Sequence, residues 1–244
     1  MTHFAIAGLQ LDLAASDNID LVIKKTKATM LRFPWVQMVV LSELAICGAG
    51  LASAEALPSA TEQRLCKLAK KLGIWLVPGS IYEKSGDRIY NTAPVINPEG
   101  EVVVRARKMY PFCPYEKGVD AGQEVCVFDV PDVGRFGLSI CYDMWFPESS
   151  RAMVSEGAEV ILHPTLTNTQ DREIEICIAR ATSAQNQCYV VDVNGAGQQA
   201  WGQSTLVGPE GEVIYSAGNN EETLLVEVDF ARVRRTRERG LMGL

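Results

Sequence analysis

Three side chains that could share one acyl-transfer reaction stand at the ends of apolar runs. Glu43 follows Val39 to Ser42, Lys108 follows Val102 to Arg107, and Cys141 follows Phe136 to Ile140. A cysteine attacks carbonyl carbon once its proton is removed. A carboxylate that closes a buried strand loses hydration, so its pKa rises toward the range useful in a general base. A lysine ammonium can hold a developing oxyanion. Cys141 leaves an apolar strand for what reads as a helix N-terminus, where backbone N–H groups favour thiolate. His163 is the alternative base, because the only other histidine, His3, falls in the first strand.

Taken singly, each residue has an ordinary structural account: a small buried hydrophobe for Cys141, a solvated loop carboxylate for Glu43, surface charge for Lys108, a strand-end packing residue for His163. Cys47, Cys66, Cys113, Cys126, Cys177 and Cys188 lack comparable surroundings. Only a fold that brings strand ends together would turn the three into a site.

The pattern of the chain provides for such a fold. Residues 3–13 alternate as a strand, and Ser16-Asp17 opens a helix running to about Phe33. Val36 to Leu41 is a continuous apolar run, as in a strand buried on both faces. Ser59 and Glu62 form a capping box for a helix stopped by Gly73, and Ile74 to Val77 is another buried strand. Hairpins turn at Ser85-Gly86 and Asn97 to Gly100. The second half repeats this order: strand Phe136 to Ile140, helix 147–156, strand Val160 to Leu162, helix 170–186 with Ile174, Ile178 and Ala181 on one face, strand Tyr189 to Val193. The string Pro-Glu-Gly-Glu-Val occurs in both halves, at 98–102 and 209–213. An internal pseudo-repeat follows, with two mixed sheets packed face to face and helices outside each. No linker rich in Pro, Gly or Ser separates the halves, so 1–244 reads as a single domain.

Composition narrows the function classes. With 244 residues, 47% apolar and 22% charged, the chain can bury a large core. A net charge of −7 gives nucleic-acid binding little support. No apolar run reaches membrane-spanning length, and the start lacks the basic region of a secretory leader. Seven scattered cysteines without a CxxC pair point to reduced thiols in a cytoplasm rather than disulfides or zinc. Segment 231–244 is a short basic tail, expected as a solvated helix or a subunit contact, with an acidic partner as the alternative.

In order along the chain, Glu43 in Leu41-Ser42-Glu43 with Gly48 beyond, Arg107-Lys108 before Tyr110-Pro111-Phe112, and Cys141-Tyr142-Asp143 followed by Phe146-Pro147-Glu148 resemble the triad motifs of the carbon–nitrogen hydrolase (nitrilase) superfamily. Glu116 ahead of Gly122, and downstream Arg180-Ala181, Asn186-Gln187, Asn194, Gly202 and Ser204, extend the resemblance over about residues 3–232. Three positions depart from the family's habit: Ser42 replaces a common proline, Trp145 a frequent arginine, and Gln185 the usual glutamate.

The resemblance implies a four-layer α-β-β-α sandwich and a homodimer or higher homo-oligomer. It also implies an amidase, in which Cys141 forms a thioester, Glu43 moves protons, and Lys108 with the Tyr142 backbone N–H holds the oxyanion. Glu116 would support Lys108. Trp145, Tyr142, Tyr115, Thr165 and His163 would line the substrate pocket, for a neutral, cationic or partly apolar amide. No cofactor and no metal is required. The same triad would serve an N-carbamoyl amine or amino acid hydrolase or a nitrilase, and a non-catalytic binding protein on the scaffold is the more remote alternative.

Overall fold

The computed structural model describes residues 3–113 and 115–240. Its first half runs β1 (His3–Gln10), α1 (Ile19–Arg32), β2 (Met38–Leu41), α2 (Ala60–Leu72), β3 (Trp75–Val77), β4 (Ile81–Ser85), β5 (Arg88–Ile96) and β6 (Val102–Arg107). The second runs β7 (Cys126–Val130), β8 (Gly134–Leu138), α3 (Pro147–Ser155), β9 (Val160–Pro164), α4 (Asp171–Asn186), β10 (Tyr189–Val193), β11 (Thr205–Val207) and β12 (Val213–Ser216). Strand β13 (Glu222–Asp229) and helix α5 (Phe230–Arg239) complete the described chain.

The pseudo-repeat is visible in the pairing. Strands β1, β2 and β3 are parallel, and β5 and β6 add antiparallel; in the other sheet β8, β9 and β10 are parallel, and β11 and β12 add antiparallel. The two Pro-Glu-Gly turns join β5 to β6 and β11 to β12, the same step in each half. Sheet orders are β13-β1-β2-β3-β5-β4, with β6 on β5, and β12-β11-β10-β9-β8-β7.

Side chains that alternate inward from both sheets form the central core: Phe4, Ile6, Met38 and Val40 face Phe136, Leu138, Leu162 and Val191. A second apolar cluster joins the outer face of the first sheet to α1 and α2, and a third joins the second sheet to α3 and α4. These are the four layers of an α-β-β-α sandwich.

Local details refine the sequence reading. Helix α1 starts at Ile19, two residues later than expected, because Asn18 precedes it and Asp17 accepts the Ile19 N–H at 2.9 Å. Ser59 caps α2 through the Glu62 N–H, but the Glu62 carboxylate pairs with Arg105 rather than reaching back, so only half the capping box forms. The largest departure is α4. Ile174 is 51% exposed and Ala181 is also exposed, while Arg172, Glu175 and Ser183 are buried. Ile174 and Ala181 therefore face outward while Ile178 packs against the third cluster, and the buried face is mostly polar because it satisfies polar groups from β10 and the loops beyond it. The basic segment also differs from expectation. Helix α5 buries Phe230 and Val233, and its Arg232 and Arg234 pair with Glu212 and Glu159 of the same chain; residues 241–244 lie outside the described residues. Among the described residues no helix is long and apolar enough to cross a membrane.

Candidate active site

Parallel strands β2 and β8 deliver Glu43 and Cys141 just past their carboxyl ends, and the antiparallel β6 delivers Lys108 past its own. The loop after β2 is held from both sheets. The Glu43 N–H donates to the Thr165 carbonyl at 3.2 Å, across the pseudo-dyad at the end of β9, and the Leu44 N–H donates to Ser80 Oγ at 3.1 Å. Gly79 makes this approach possible, since a Cβ there would lie 1.8 Å from the Ser42 carbonyl oxygen.

Lys108 is buried between two carboxylates. Its Nζ donates to Glu43 Oε1 at 2.7 Å and to Glu116 Oε2 at 2.6 Å. Asn91 on β5 donates its amide to the same Glu43 oxygen and to Glu116 Oε1, at 2.7 and 2.8 Å. The Phe112 N–H gives Glu116 a further donor at 2.6 Å. The Cys141 thiol lies beside the Glu43 carboxylate, and the two act on each other electrostatically. Thus Glu43, Lys108, Glu116 and Cys141 meet in one buried cluster.

Burial sets the electrostatics. It pushes Glu43 above the ordinary carboxylate range against the pull of Lys108. It pushes the Cys141 thiol well up, with the Glu43 charge adding to the effect. Lys108 would be lowered by burial alone, but Glu43, Cys141 and Glu116 hold it well above the ordinary lysine value. The cluster therefore keeps its ammonium and its thiol proton together. This corrects the expected thiolate. Cys141 begins a single 3₁₀ turn, Cys141–Trp145, and the α-helix starts only at Pro147, so little helix dipole reaches the sulfur. Cys141 also has φ of +46°, a strained conformation for a side-chain-bearing residue that presents the thiol on a sharp bend.

Asp143 ties that bend to the lysine loop. Its Oδ1 accepts the N–H groups of Met109 and Tyr110 at 2.9 and 2.8 Å, and its Oδ2 that of Ile140 at 3.1 Å. Asn91 and Asp143 were not singled out by sequence reasoning. The signal for Asp143 was its place inside the Cys-Tyr-Asp motif; Asn91 had only the weak signal of an amide within a strand.

The cluster floors a cavity of about 300 Å³. Phe112, Tyr115, Tyr142 and Trp145 line it, in contact as rings: Phe112–Tyr142 at 4.8 Å, Tyr142–Trp145 at 5.8 Å and Phe112–Tyr115 at 5.6 Å. Thr165 and His163 do not reach the lining. Thr165 lies behind the sulfur, within hydrogen-bonding reach of it, and Thr167 and Glu175 come to the surface beyond. His163 is fully buried, 3.8 Å from Asp192, and burial pushes its imidazole down to about 4. A neutral ring below the cavity is poorly placed to serve as the base of the thiol. Among the described residues no group of His, Cys, Asp and Glu has the arrangement of a metal site, and all seven cysteines are free.

Comparison with known proteins finds a matching family, related sequences and similar folds. The carbon–nitrogen hydrolase family profile matches residues 5–238. The omega-amidase NIT2-A of Xenopus laevis is 33% identical over 201 residues, 76% of this chain and 72% of that protein. The chloroplastic omega-amidase of Arabidopsis thaliana is 34% identical over 188 residues, and the matched part is only about half of its length, at 51%. Among solved structures, Saccharomyces cerevisiae Nit3, a member of branch 10 of the nitrilase superfamily, superposes with a TM-score of 0.90 at 28% identity, over 100% of this chain and 96% of that one. An amidase from Nesterenkonia sp. does so at 0.86 and 25% identity, over 97% and 94%.

Proposed function

The chain belongs to the carbon–nitrogen hydrolase family, and we propose that it hydrolyses a small linear amide through a thioester on Cys141. One observation carries the reading: a buried ammonium held by two carboxylates, with the Cys141 thiol beside them, at the floor of a cavity. A lysine ammonium has three donors. Glu43 and Glu116 take two, which leaves one for a substrate oxygen.

In the empty site the thiol keeps its proton, because a thiolate would add a third negative charge to two buried carboxylates and one ammonium. When an amide enters, the Cys141 sulfur bonds to the carbonyl carbon while its proton passes to Glu43. The carbonyl oxygen takes the electron pair and is held by the third Lys108 N–H and the Tyr142 backbone N–H, each such donor contributing about 3 kcal/mol. Glu43 then gives its proton to the nitrogen, the C–N bond breaks, and ammonia or an amine leaves. Water attacks the thioester, losing a proton to Glu43, which returns it to sulfur as the acid departs. Only water is consumed. Asn91 and Glu116 act as positioning residues for Glu43 and Lys108.

The same steps suit a carbamoyl group, and with a different first adduct a nitrile; the amide is preferred because the relatives in hand are named omega-amidases and amidase. The test is ammonia release from a panel of small amides, carbamoyl amines and nitriles, with Cys141→Ser and Glu43→Gln beside the parent protein. Amide turnover that falls at least about 10³-fold in both variants is expected. Preference for a carbamoyl amine or nitrile would replace the amide assignment. Silence across the panel, with Cys141 inert to iodoacetamide, would overturn the enzyme reading in favour of a binding protein.

Free thiols throughout support a reducing, cytoplasmic setting, and the exposed Ile174 and Ala181 on the outer face of α4 support a homodimer through that helix. Light scattering should give a dimer mass that Ile174→Glu converts to monomer.

A further inference from the structure

We propose that the substrate amide carries a positive charge on its chain, received by Asp171 with Glu175 one helical turn behind it. The inference rests on the amidase reading and specifies its substrate class.

The cavity lining holds four carboxylates, Glu43, Glu116, Asp171 and Glu175, against one cation, Lys108. Lys108 is already shared by Glu43 and Glu116. The nearest further cation, Arg172, is fully buried behind the wall on Glu175 and Asp192 and does not line the cavity. Asp171 differs from the other three. Its only described side-chain partner is the Thr169 hydroxyl, at 3.0 Å to Oδ2, and no cation lies within ion-pair distance of it among the described residues. Asp171 and Glu175 are separated by four residues at the start of α4, so they share one face.

A second feature offers a polar ligand a further contact in the cavity. Tyr82 lines it and is 2% exposed, yet its hydroxyl has no hydrogen-bond partner among the described residues. That hydroxyl opens to the cavity and is free to donate to or accept from a bound polar group. The aromatic wall then selects the sign of that group. Tyr142 and Trp145 offer ring faces that attract a cation, and the carboxylates repel an anion that finds no free counter-charge. A substrate carboxylate would be desolvated beside four others. An ammonium in the same place would meet an unpaired Asp171.

The test compares three amides of matched length: butanamide, 4-aminobutanamide and succinamate. The expected order of kcat/KM is 4-aminobutanamide about tenfold above butanamide, with succinamate at least about tenfold below it. In Asp171→Asn the ratio of 4-aminobutanamide to butanamide should fall below about threefold. Trp145→Arg, which adds a cation to the lining, should raise succinamate relative to 4-aminobutanamide. Succinamate equal to or better than butanamide in the parent protein would overturn the proposal, and so would a tenfold cation preference that survives Asp171→Asn. If none of the three is hydrolysed, the amidase reading is decided by the broader panel and Cys141 alkylation, and the charge assignment by calorimetric binding of the same three compounds to Cys141→Ala. Tightest binding of 4-aminobutanamide upholds it; equal binding, or tightest binding of succinamate, overturns it.

Discussion

Two buried ion clusters of the same composition flank Cys141, and they do opposite work. On one side Lys108 lies between Glu43 and Glu116; on the other Arg172 lies between Glu175 and Asp192. Each has one cation and two carboxylates, and every member is at most 5% exposed. The difference is in donors. Arg172 has five N–H groups, and five acceptors meet them: Glu175, both oxygens of Asp192, and the carbonyls of Gly202 and Gln203. That guanidinium is saturated and serves as a joint between α4, β10 and the loop before β11. Lys108 has one donor left over. A buried charge with an unfilled donor beside a cavity is a reagent, whereas the same charge fully satisfied is a structural part.

Breaking each cation in turn should expose that contrast most strongly. Arg172→Met leaves two buried carboxylates without a counter-charge and should destabilise the fold by about 3–5 kcal/mol, read from urea unfolding. Lys108→Met should instead lower kcat/KM by about 10²–10³-fold with a smaller loss of stability, since its carboxylates border a cavity that water can enter. Arg172→Lys sharpens the point: three donors cannot meet five acceptors, so most of the destabilisation should persist despite the retained charge.

The second cluster also sets a pH response. His163 lies against Asp192 and near Arg172, and burial holds its imidazole down at about 4 against an ordinary value of 6.5. Between those values the unfolded chain takes up a proton that the folded chain refuses. Stability is therefore full above about pH 6.5 and declines as pH falls toward 4, by up to about 3 kcal/mol from this residue. His163→Asn should flatten that part of the pH dependence of unfolding without removing the acid limb due to carboxylates. A slope that is unchanged in the variant would assign the response to other groups.

The first cluster was legible because Glu43 and Lys108, together with Cys141, match the family's triad motifs in order along the chain, and Glu116 ahead of Gly122 extends that match. The sandwich and its pseudo-repeat were legible for a different reason: continuous apolar runs and matched Pro-Glu-Gly turns fix β2, β3, β9, β10 and the two hairpins. The second cluster was not legible. Asp171-Arg172-Glu173-Ile174-Glu175 reads as a solvated helix start, and its Ile174 suggests an inward face; only the packing of α4 over β10 reveals that the polar side is buried. Helical periodicity marks a stripe but does not say whether it meets the core or another surface. Asn91 escaped notice because one amide inside a strand carries no pattern. Thr165 and His163 were expected in the pocket from the substrate hypothesis that followed the family resemblance, but the chain continues past them to Leu166 and Thr167 before it opens to the cavity.

Thr165 is the bridge between the clusters and allows the finest test of the comparison. Its hydroxyl lies 3.2 Å from Glu175 Oε1 and 3.1 Å from Thr167 Oγ1, and is within hydrogen-bonding reach of the Cys141 sulfur. It has one proton and at least two acceptors for it. With a neutral thiol in the empty site, the carboxylate is the stronger acceptor and holds the proton; as negative charge develops on sulfur, the balance moves toward Cys141. Thr165→Val keeps the volume and removes that choice. The expected loss is about 1 kcal/mol, or roughly fivefold in kcat/KM, with the pH at which the thiol ionises moved up rather than down. Alkylation of Cys141 by iodoacetamide as a function of pH reads the ionisation directly. A variant with a diminished rate but an unmoved alkylation profile would make Thr165 a packing residue, and the two clusters would then be neighbours with no proton-level connection between them.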